Sequence, residues 1–595
     1  MSDFGSRVDA FLDEFFRLDP VSATAAGMHA HDGRWPDLSE SGRCERLAFC
    51  DRWEAALRTF ADAELSADER IDRDLLLLEL DVLRFAETEL REEAWDPLAW
   101  IYLLGGGIFP LLVREFAPLA ERLGSIAARL EGIPAVLSAA RVQLGSHPVR
   151  PVSRFHTETA LKQLAGIAEL AGDAVHEAER AASEDLAVAG LLDRVRSAAA
   201  IATTALEWFE EHLRDELLPI AEGEGRLGAE LFRAKMRRTL KSDAPTPEEI
   251  LARAEREYPA VRAEMIRIAR QIWPAWIPDR PLPDAASADS PEAADSQTVR
   301  EVLDAIARAH QPADRLLEFC RAELGRIEAF CREIDLIGLP DEPLDIRWTP
   351  VFLRAFGGAM LSSPGPLDRD QKAFFAITPI PEDWTTEQAE SYLREDSDRM
   401  LRLLTIHEAV PGHYLQGACA NRCPSLPRAV FRSGVFAEGW AVYVTQVMMD
   451  VGYGADDPAL LLTHWKFYLR SITNAIIDVK IHTGGMTEEE AVSLMVEGGF
   501  QEEAEARAKY NRARLSSTQL STYFIGSMEM WELELERRRR LAAASGDPRG
   551  AAAVPEPRLV GGLDETPGFR YREHLETVLA HGTPPMSLLR RIILG

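Results

Sequence analysis

Cysteine is scarce in this chain: there are six in 595 residues. The nearest pairs, Cys419 with Cys423 and Cys44 with Cys50, lack C-x-x-C spacing. That sets aside a disulfide scaffold, a thiol redox centre and a cysteine-bound zinc, and it favours reduced thiols in a cytosolic setting. Positive charge is also short. Lys and Arg number 67 against 97 Asp and Glu, a net charge of −30. Such a surface repels phosphate backbones, so nucleic acid is not an expected partner. Long hydrophobic runs are missing too. The longest, Pro97 to Val113, contains Gly105, Gly106, Gly107 and Pro110. It is short for a membrane span and reads as a buried helix-loop-helix. The N-terminus, MSDFGSRVDAFLDEFF, carries acids and no uninterrupted apolar stretch of the signal-peptide kind. Together these absences predict a cytoplasmic protein with no membrane partner.

What is present is ordinary for a soluble globular chain: 46% hydrophobic and 28% charged residues, with length enough for a large core. Residues 1–278 read as a helical region. Arg70 to Leu90 and Ser197 to Leu217 have apolar residues at helical spacing. Thr246-Pro-Glu-Glu249 is a helix start, with an N-capping Thr and Pro at the first position. Asp279 to Thr298 is Pro, Ala, Ser and Asp with almost no large apolar residue, and reads as a mobile acidic loop. Residues 299–595 form a second helical region, continuous with the first as one fold, and Ala542 to Gly568 is a second linker-like stretch. Strand signals are few. Leu344 to Trp348 is one, and Lys372 to Pro379, rich in aromatic residues and ending at prolines, reads as an edge strand.

The chemistry concentrates in His407-Glu408-Ala-Val-Pro-Gly-His413. Two imidazoles beside a carboxylate are the raw material of a catalytic zinc site: neutral nitrogen ligands, and a Glu to handle protons. In the common form the two His stand four apart on one helix face. Here they stand six apart, about 120° around an ideal helix, where they cannot share one ion. Pro411 lacks an N–H and its ring clashes with the carbonyl of residue 407, while Gly412 tolerates unusual angles. A break there is predicted to swing His413 back beside His407. Glu438, opening an apolar helix about 30 residues on, is the third ligand candidate. A His2Glu set with an open position is catalytic in kind, and one zinc ion per chain is expected. Other divalent ions suit the same donors.

These residues resemble a known family. HEAVPGHYLQ, residues 407–416, matches the HEAxPGHxxQ hallmark of the bacterial domain-of-unknown-function 885 proteins. The resemblance continues through Glu438-Gly-Trp-Ala-Val-Tyr443, Asp478-Val-Lys-Ile-His482 and Gln519-Leu-Ser-Thr-Tyr523-Phe-Ile-Gly526. Asp19-Pro-Val-Ser-Ala-Thr24 and His581-Gly-Thr-Pro-Pro585 also fit, so it spans nearly the whole chain. The family is grouped by similarity with gluzincin-like helical zinc peptidases. The resemblance therefore implies a mainly α, metallopeptidase-like fold with a deep cleft, one wall of it from residues 1–278, and a small β-sheet flanking the active-site helix. It also implies a zinc-dependent hydrolase, a peptidase of carboxypeptidase or oligopeptidase type. A zinc amidase or tailoring enzyme acting on a peptide-like small molecule, and a non-catalytic peptide-binding relative, remain open, as do monomer and homodimer.

Roles follow. Glu408 is the general base. Tyr523, and after it His482, is the oxyanion donor. Asp478 stands four residues before His482 and can pair with it to fix its tautomer, or the two form a buried pair with no catalytic part. Tyr523 reads equally as a core aromatic with a satisfied hydroxyl. Arg470, Arg512 and Arg514 are candidates to hold a substrate carboxylate. The strand holding Phe374 and Ala376 is a candidate to bind an extended peptide by strand addition. Trp440 and Tyr443 pack the ligand helix.

Overall fold

A computed structural model describes residues 3–283, 290–341, 344–349, 359–368, 371–381, 384–545, 566 and 568–595. Helices make up 73% of the chain and the described strands form one three-stranded sheet, so the fold is mainly α. The chain forms two compact units. The first is Met1–Arg226 with two later segments, Pro364–Lys372 and Pro424–Phe431. The second is Leu227–Ser363, Ala373–Cys423 and Arg432–Gly595.

In the first unit, helices Pro97–Val113, Leu119–Gln143, Arg154–Ala181 and Leu186–Glu211 pack on one another. The break expected inside Pro97–Val113 is absent: one helix runs through the three glycines. Its Trp100, Leu104, Ile108 and Leu111 are buried, and packing on two neighbouring helices overrides weak local propensity. Leu119–Gln143 is long and apolar enough to cross a membrane, but half of its apolar window is buried inside the protein. Its Arg129 is wholly buried and donates to Thr24 Oγ1 at 2.7 Å. The segment Pro424–Phe431 is tied in by packing and charge. Phe431 lies 5.2 Å from Phe15, ring to ring, and Arg428 bonds the buried Asp72 carboxylate at 2.9 Å.

His29 is bound on three sides in this unit. Its ring stacks on Phe116 at 3.5 Å, Nδ1 meets Asp32 at 2.8 Å and Nε2 meets Asp368 at 3.1 Å. Burial alone would lower its pKa, but the two carboxylates override burial and push it up to about 9. The folded value lies above the unfolded 6.5, so the charged contact stabilises fully below pH 6.5 and is lost as pH rises through about 9. We expect denaturant unfolding to show a loss on the order of 2–3 kcal/mol between those limits. His29→Gln should be weaker at pH 6 and flatten that slope. An unchanged slope in the variant would assign the loss elsewhere.

In the second unit, Thr246 caps Pro247–Trp276 with Glu249 in a reciprocal capping box, as its sequence predicts. That helix packs along Pro458–Thr483, which is buried on nearly every side. Helix resumes at Pro291, eight residues before the expected end of the acidic loop. Ser290 caps it, and Thr298 on it is buried. Residues 284–289 of that loop lie outside the described residues. Helix Ser521–Ser545 likewise takes in the start of the second expected linker, of which 546–565 and 567 lie outside the described residues.

The sheet comprises β1 (Asp345–Trp348), β2 (Ala359–Ser362) and β3 (Phe374–Ile377) in the order β1-β3-β2. β3 is therefore central and not an edge strand. It runs parallel to β1, with Phe375 opposite Ile346, and antiparallel to β2, with Phe375 opposite Leu361. Pro379 lies beyond the paired residues and interrupts nothing. With both sides of β3 paired, substrate cannot add to it at Phe374 and Ala376. Phe374 lies under the Arg347 guanidinium and Ala376 is buried. The sheet packs through Ile346, Phe375 and Ile377 on Leu401, and so buttresses the helix that ends in His407 and Glu408.

Candidate metal centre

The helix Asp398–Glu408 is held from outside by ion pairs, Arg399 with Asp457 at 2.9 Å and Arg402 with the wholly buried Glu323 at 3.2 Å. It stops where the sequence requires. Ala409 leaves helical geometry at φ −103°, ψ −99°, and the Val410–Pro411 bond is cis. Gly412 N–H donates back to the Ile406 carbonyl at 3.1 Å, and a new helix starts at His413. A Cβ on Gly412 would lie 1.9 Å from the His407 carbonyl oxygen, so only glycine permits this close return. Trp440 Nε1 donates to the Pro411 carbonyl at 2.9 Å and ties the break to the helix Gly434–Asp450.

The break brings the imidazoles together, with ring centroids 4.8 Å apart and edge to face. Glu438 Oε2 lies 3.4 Å from His413 Nε2 and 3.9 Å from His407 Nε2. Ligand-type atoms of His407, Glu408 and His413 also lie within 4.8 Å of one another. Two carboxylates thus face two imidazoles. Donors about 2.0–2.2 Å from a tetrahedral ion sit roughly 3.4 Å from one another, and the Glu438 Oε2 separations of 3.4 and 3.9 Å from the two ring nitrogens are of that order. Among the described residues Nδ1 of His407 is buried without a hydrogen-bond partner, and its Nε2 faces Glu438 at 3.9 Å.

Electrostatics separates the four groups. Burial, with His413 adding to it, pushes His407 down to about 3 and keeps it neutral. Against burial, Glu438 holds His413 above its ordinary value, and His413 with His407 holds Glu438 below the usual carboxylate value. Burial, helped by Glu438 and opposed by His413, pushes Glu408 up to about 7. A backbone hydrogen bond from Leu361 of β2 also reaches Glu408. A cavity of about 630 Å³ opens beside His407 and Glu408, lined from this unit by Met400, Phe467, Arg470, Arg512 and Tyr523 among others.

Residues 20–593 match the family described as bacterial protein of unknown function (DUF885). The chain belongs to that family. A solved structure from Shewanella oneidensis, described as a putative lipoprotein of unknown function, is 30% identical over 100% of both chains, with a TM-score of 0.80. Another, described as the putative lipoprotein from Colwellia psychrerythraea, shares 17% identity and shows the same fold, covering 100% of this chain and 99% of its own with a TM-score of 0.78. No curated protein matches significantly. The expected cytoplasmic location is overturned, since both solved proteins are described as lipoproteins.

The remaining residues singled out by the sequence divide in this DUF885 chain. Tyr523 lines the cavity; its hydroxyl meets Arg512 at 3.3 Å and Gln519 at 3.4 Å. Arg470 lines it too, but is held by Glu395 at 3.1 Å and by Glu505. His482 does not reach the cavity. Its Nδ1 accepts from Leu227 N–H at 3.1 Å, its Nε2 meets the Ala513 carbonyl at 2.9 Å, and its ring stacks on Phe232. It is a structural histidine. Asp478 does not pair with it; that carboxylate accepts from Thr518 N–H at 3.1 Å and from Ser521 N–H at 3.0 Å. Asp478 therefore anchors the start of the helix that carries Tyr523. Arg514 lies over the Tyr510 ring and not on the cavity wall. Sequence reasoning missed three features: β2 beside Glu408, Asn474 on the cavity wall, and the meeting of Gly439 with Gly526. Both glycines sit inside the motifs that carry the family resemblance.

Proposed function

We propose that this DUF885 chain is a zinc-dependent hydrolase of short peptides. The observation that supports it best is the convergence of His407, His413 and Glu438 near ligand spacing, with Glu408 beside them and His407 and Glu408 on the wall of one cavity. When bound, zinc supplies Lewis acidity toward water and a substrate carbonyl. His407 is held neutral and has a lone pair to donate. Glu408, pushed up to about 7, is suited to take a proton from water at a carboxylate oxygen and to return it to the leaving amine. Tyr523, pushed up to about 12 by burial and by Glu438, stays protonated and can donate to a developing oxyanion. The lipoprotein description of both solved relatives supports a setting outside the cytoplasm.

Metal analysis of the purified chain should find one zinc, and His413→Ala should lose it. Incubation with a defined peptide mixture should then yield fragments only from the loaded protein. A chain that binds no divalent metal, or one that holds zinc and cuts no peptide in the mixture, would sink this reading.

A further inference from the structure

The cations on the cavity wall are unevenly paired. Arg470 is neutralised by Glu395 and Glu505, and Lys509 by Glu505 at 3.2 Å. Lys466, which does not line this cavity, also meets Glu395 at 3.2 Å. These acids are thereby taken, and do not offer themselves to a substrate amine. Arg512 differs. It is exposed, lines the cavity, and its guanidinium bonds only neutral groups, Gln519 Oε1 at 3.0 Å and the Tyr523 hydroxyl at 3.3 Å. Among the described residues no carboxylate pairs with it at contact distance, and its charge reaches only as far as helping to lower Glu438.

A second unmatched group lines the same cavity. Asn474 stands one helical turn beyond Arg470 and is 6% exposed, and its Oδ1 is buried without a hydrogen-bond partner. Its helical neighbours are satisfied locally: Ser471 donates to the Tyr468 carbonyl at 2.7 Å and Thr473 to the Arg470 carbonyl at 3.1 Å. A buried acceptor left unmatched is unfavourable, and one on a cavity wall is answered by a ligand N–H.

We propose that Asn474 and Arg512 form a subsite for the carboxyl end of a peptide. Asn474 Oδ1 accepts from a substrate amide N–H, and Arg512 takes the free terminal carboxylate. Peptides are then shortened from that end: the terminal amide C–N bond breaks, the acyl carbon gains the hydroxyl of water, and the leaving amine gains the proton. The direction of trimming rests on the hydrolase reading above, whereas recognition of the carboxylate is a binding property tested separately.

The probe is N-acetyl-Ala-Phe-Ala, as free acid and as carboxamide, titrated by calorimetry into the zinc-loaded Glu408→Gln protein, so that no turnover is needed. The acid should bind roughly 10- to 100-fold tighter than the amide, the range for a hydrogen-bonded charge. Adding Arg512→Gln should weaken the acid alone and erase the difference. Adding Asn474→Ala should weaken both ligands by roughly fivefold or more. Equal binding of acid and amide, binding of neither, or a preference that survives Arg512→Gln overturns the proposal. Failure of the wild type to cut peptides would count against the hydrolase reading, not against these binding results.

Discussion

Glu408→Gln should lower turnover by about 10²- to 10⁴-fold on any peptide the wild type cleaves, with the zinc content unchanged. The substitution keeps the side chain's volume and removes its ability to take a proton. Loss of general-base catalysis in that range corresponds to about 3–5 kcal/mol of barrier. Glu438→Gln should behave in the opposite order. It removes a charged donor 3.4 Å from His413 Nε2, so metal content should fall first and activity with it. The comparison matters because the geometry brings both carboxylates to the same pair of rings. Their electrostatic settings differ: Glu438 is held low by His413, as suits a permanent anion, and Glu408 is raised by burial, as suits a group that gains and loses a proton near neutrality. Metal analysis beside initial rates for the two variants decides the assignment. If Glu408→Gln lost the zinc while Glu438→Gln kept it, the roles would be reversed.

How much of this was legible in the sequence depended on how local the cause was. The turn at Val410-Pro411-Gly412 follows from two residues whose backbone limits are intrinsic, so the return of His413 to His407 could be read without a fold. Glu438 was reachable because it begins the next long apolar helix. The misreadings share another origin. Asp478 and His482 stand four apart on one helix, the spacing of a pair, yet each finds a distant partner, Ser521 N–H for one and Leu227 N–H for the other. β3 ends near prolines like an edge strand, but its place is set by β2, whose residues Ala359-Met-Leu-Ser362 carry no β-branched signal. Arg470 looks like a substrate ligand until Glu395 and Glu505 arrive from other helices. Nothing within a few residues of these positions encodes those partners.

Gly439→Val should unfold or deeply destabilise the second unit, by about 3 kcal/mol or more, and take zinc binding with it. A Cβ at Gly439 would lie 2.2 Å from the Gly526 carbonyl carbon, and one at Gly526 would lie 2.1 Å from the Val435 carbonyl oxygen. The helices Gly434–Asp450 and Ser521–Ser545 therefore touch backbone to backbone, and no side-chain rotation relieves the clash. Helix propensity argues the other way, since replacing a mid-helix glycine with Ala gains about 1 kcal/mol. The contact should win at Gly439 because the whole helix pair would have to part. Gly325→Ala is the control: it lies exposed in the helix Leu316–Glu333 with nothing within 4 Å of its Cβ position, and should stabilise slightly. The consequence for the site is direct. Glu438 precedes Gly439, and Tyr523 lies one turn before Gly526, so this contact helps place the Glu438 carboxylate relative to the Tyr523 hydroxyl. Denaturant unfolding and zinc content measured on both variants test the claim. A Gly439→Val protein as stable as the wild type would show that the two helices have room to separate and that their contact does not position the centre.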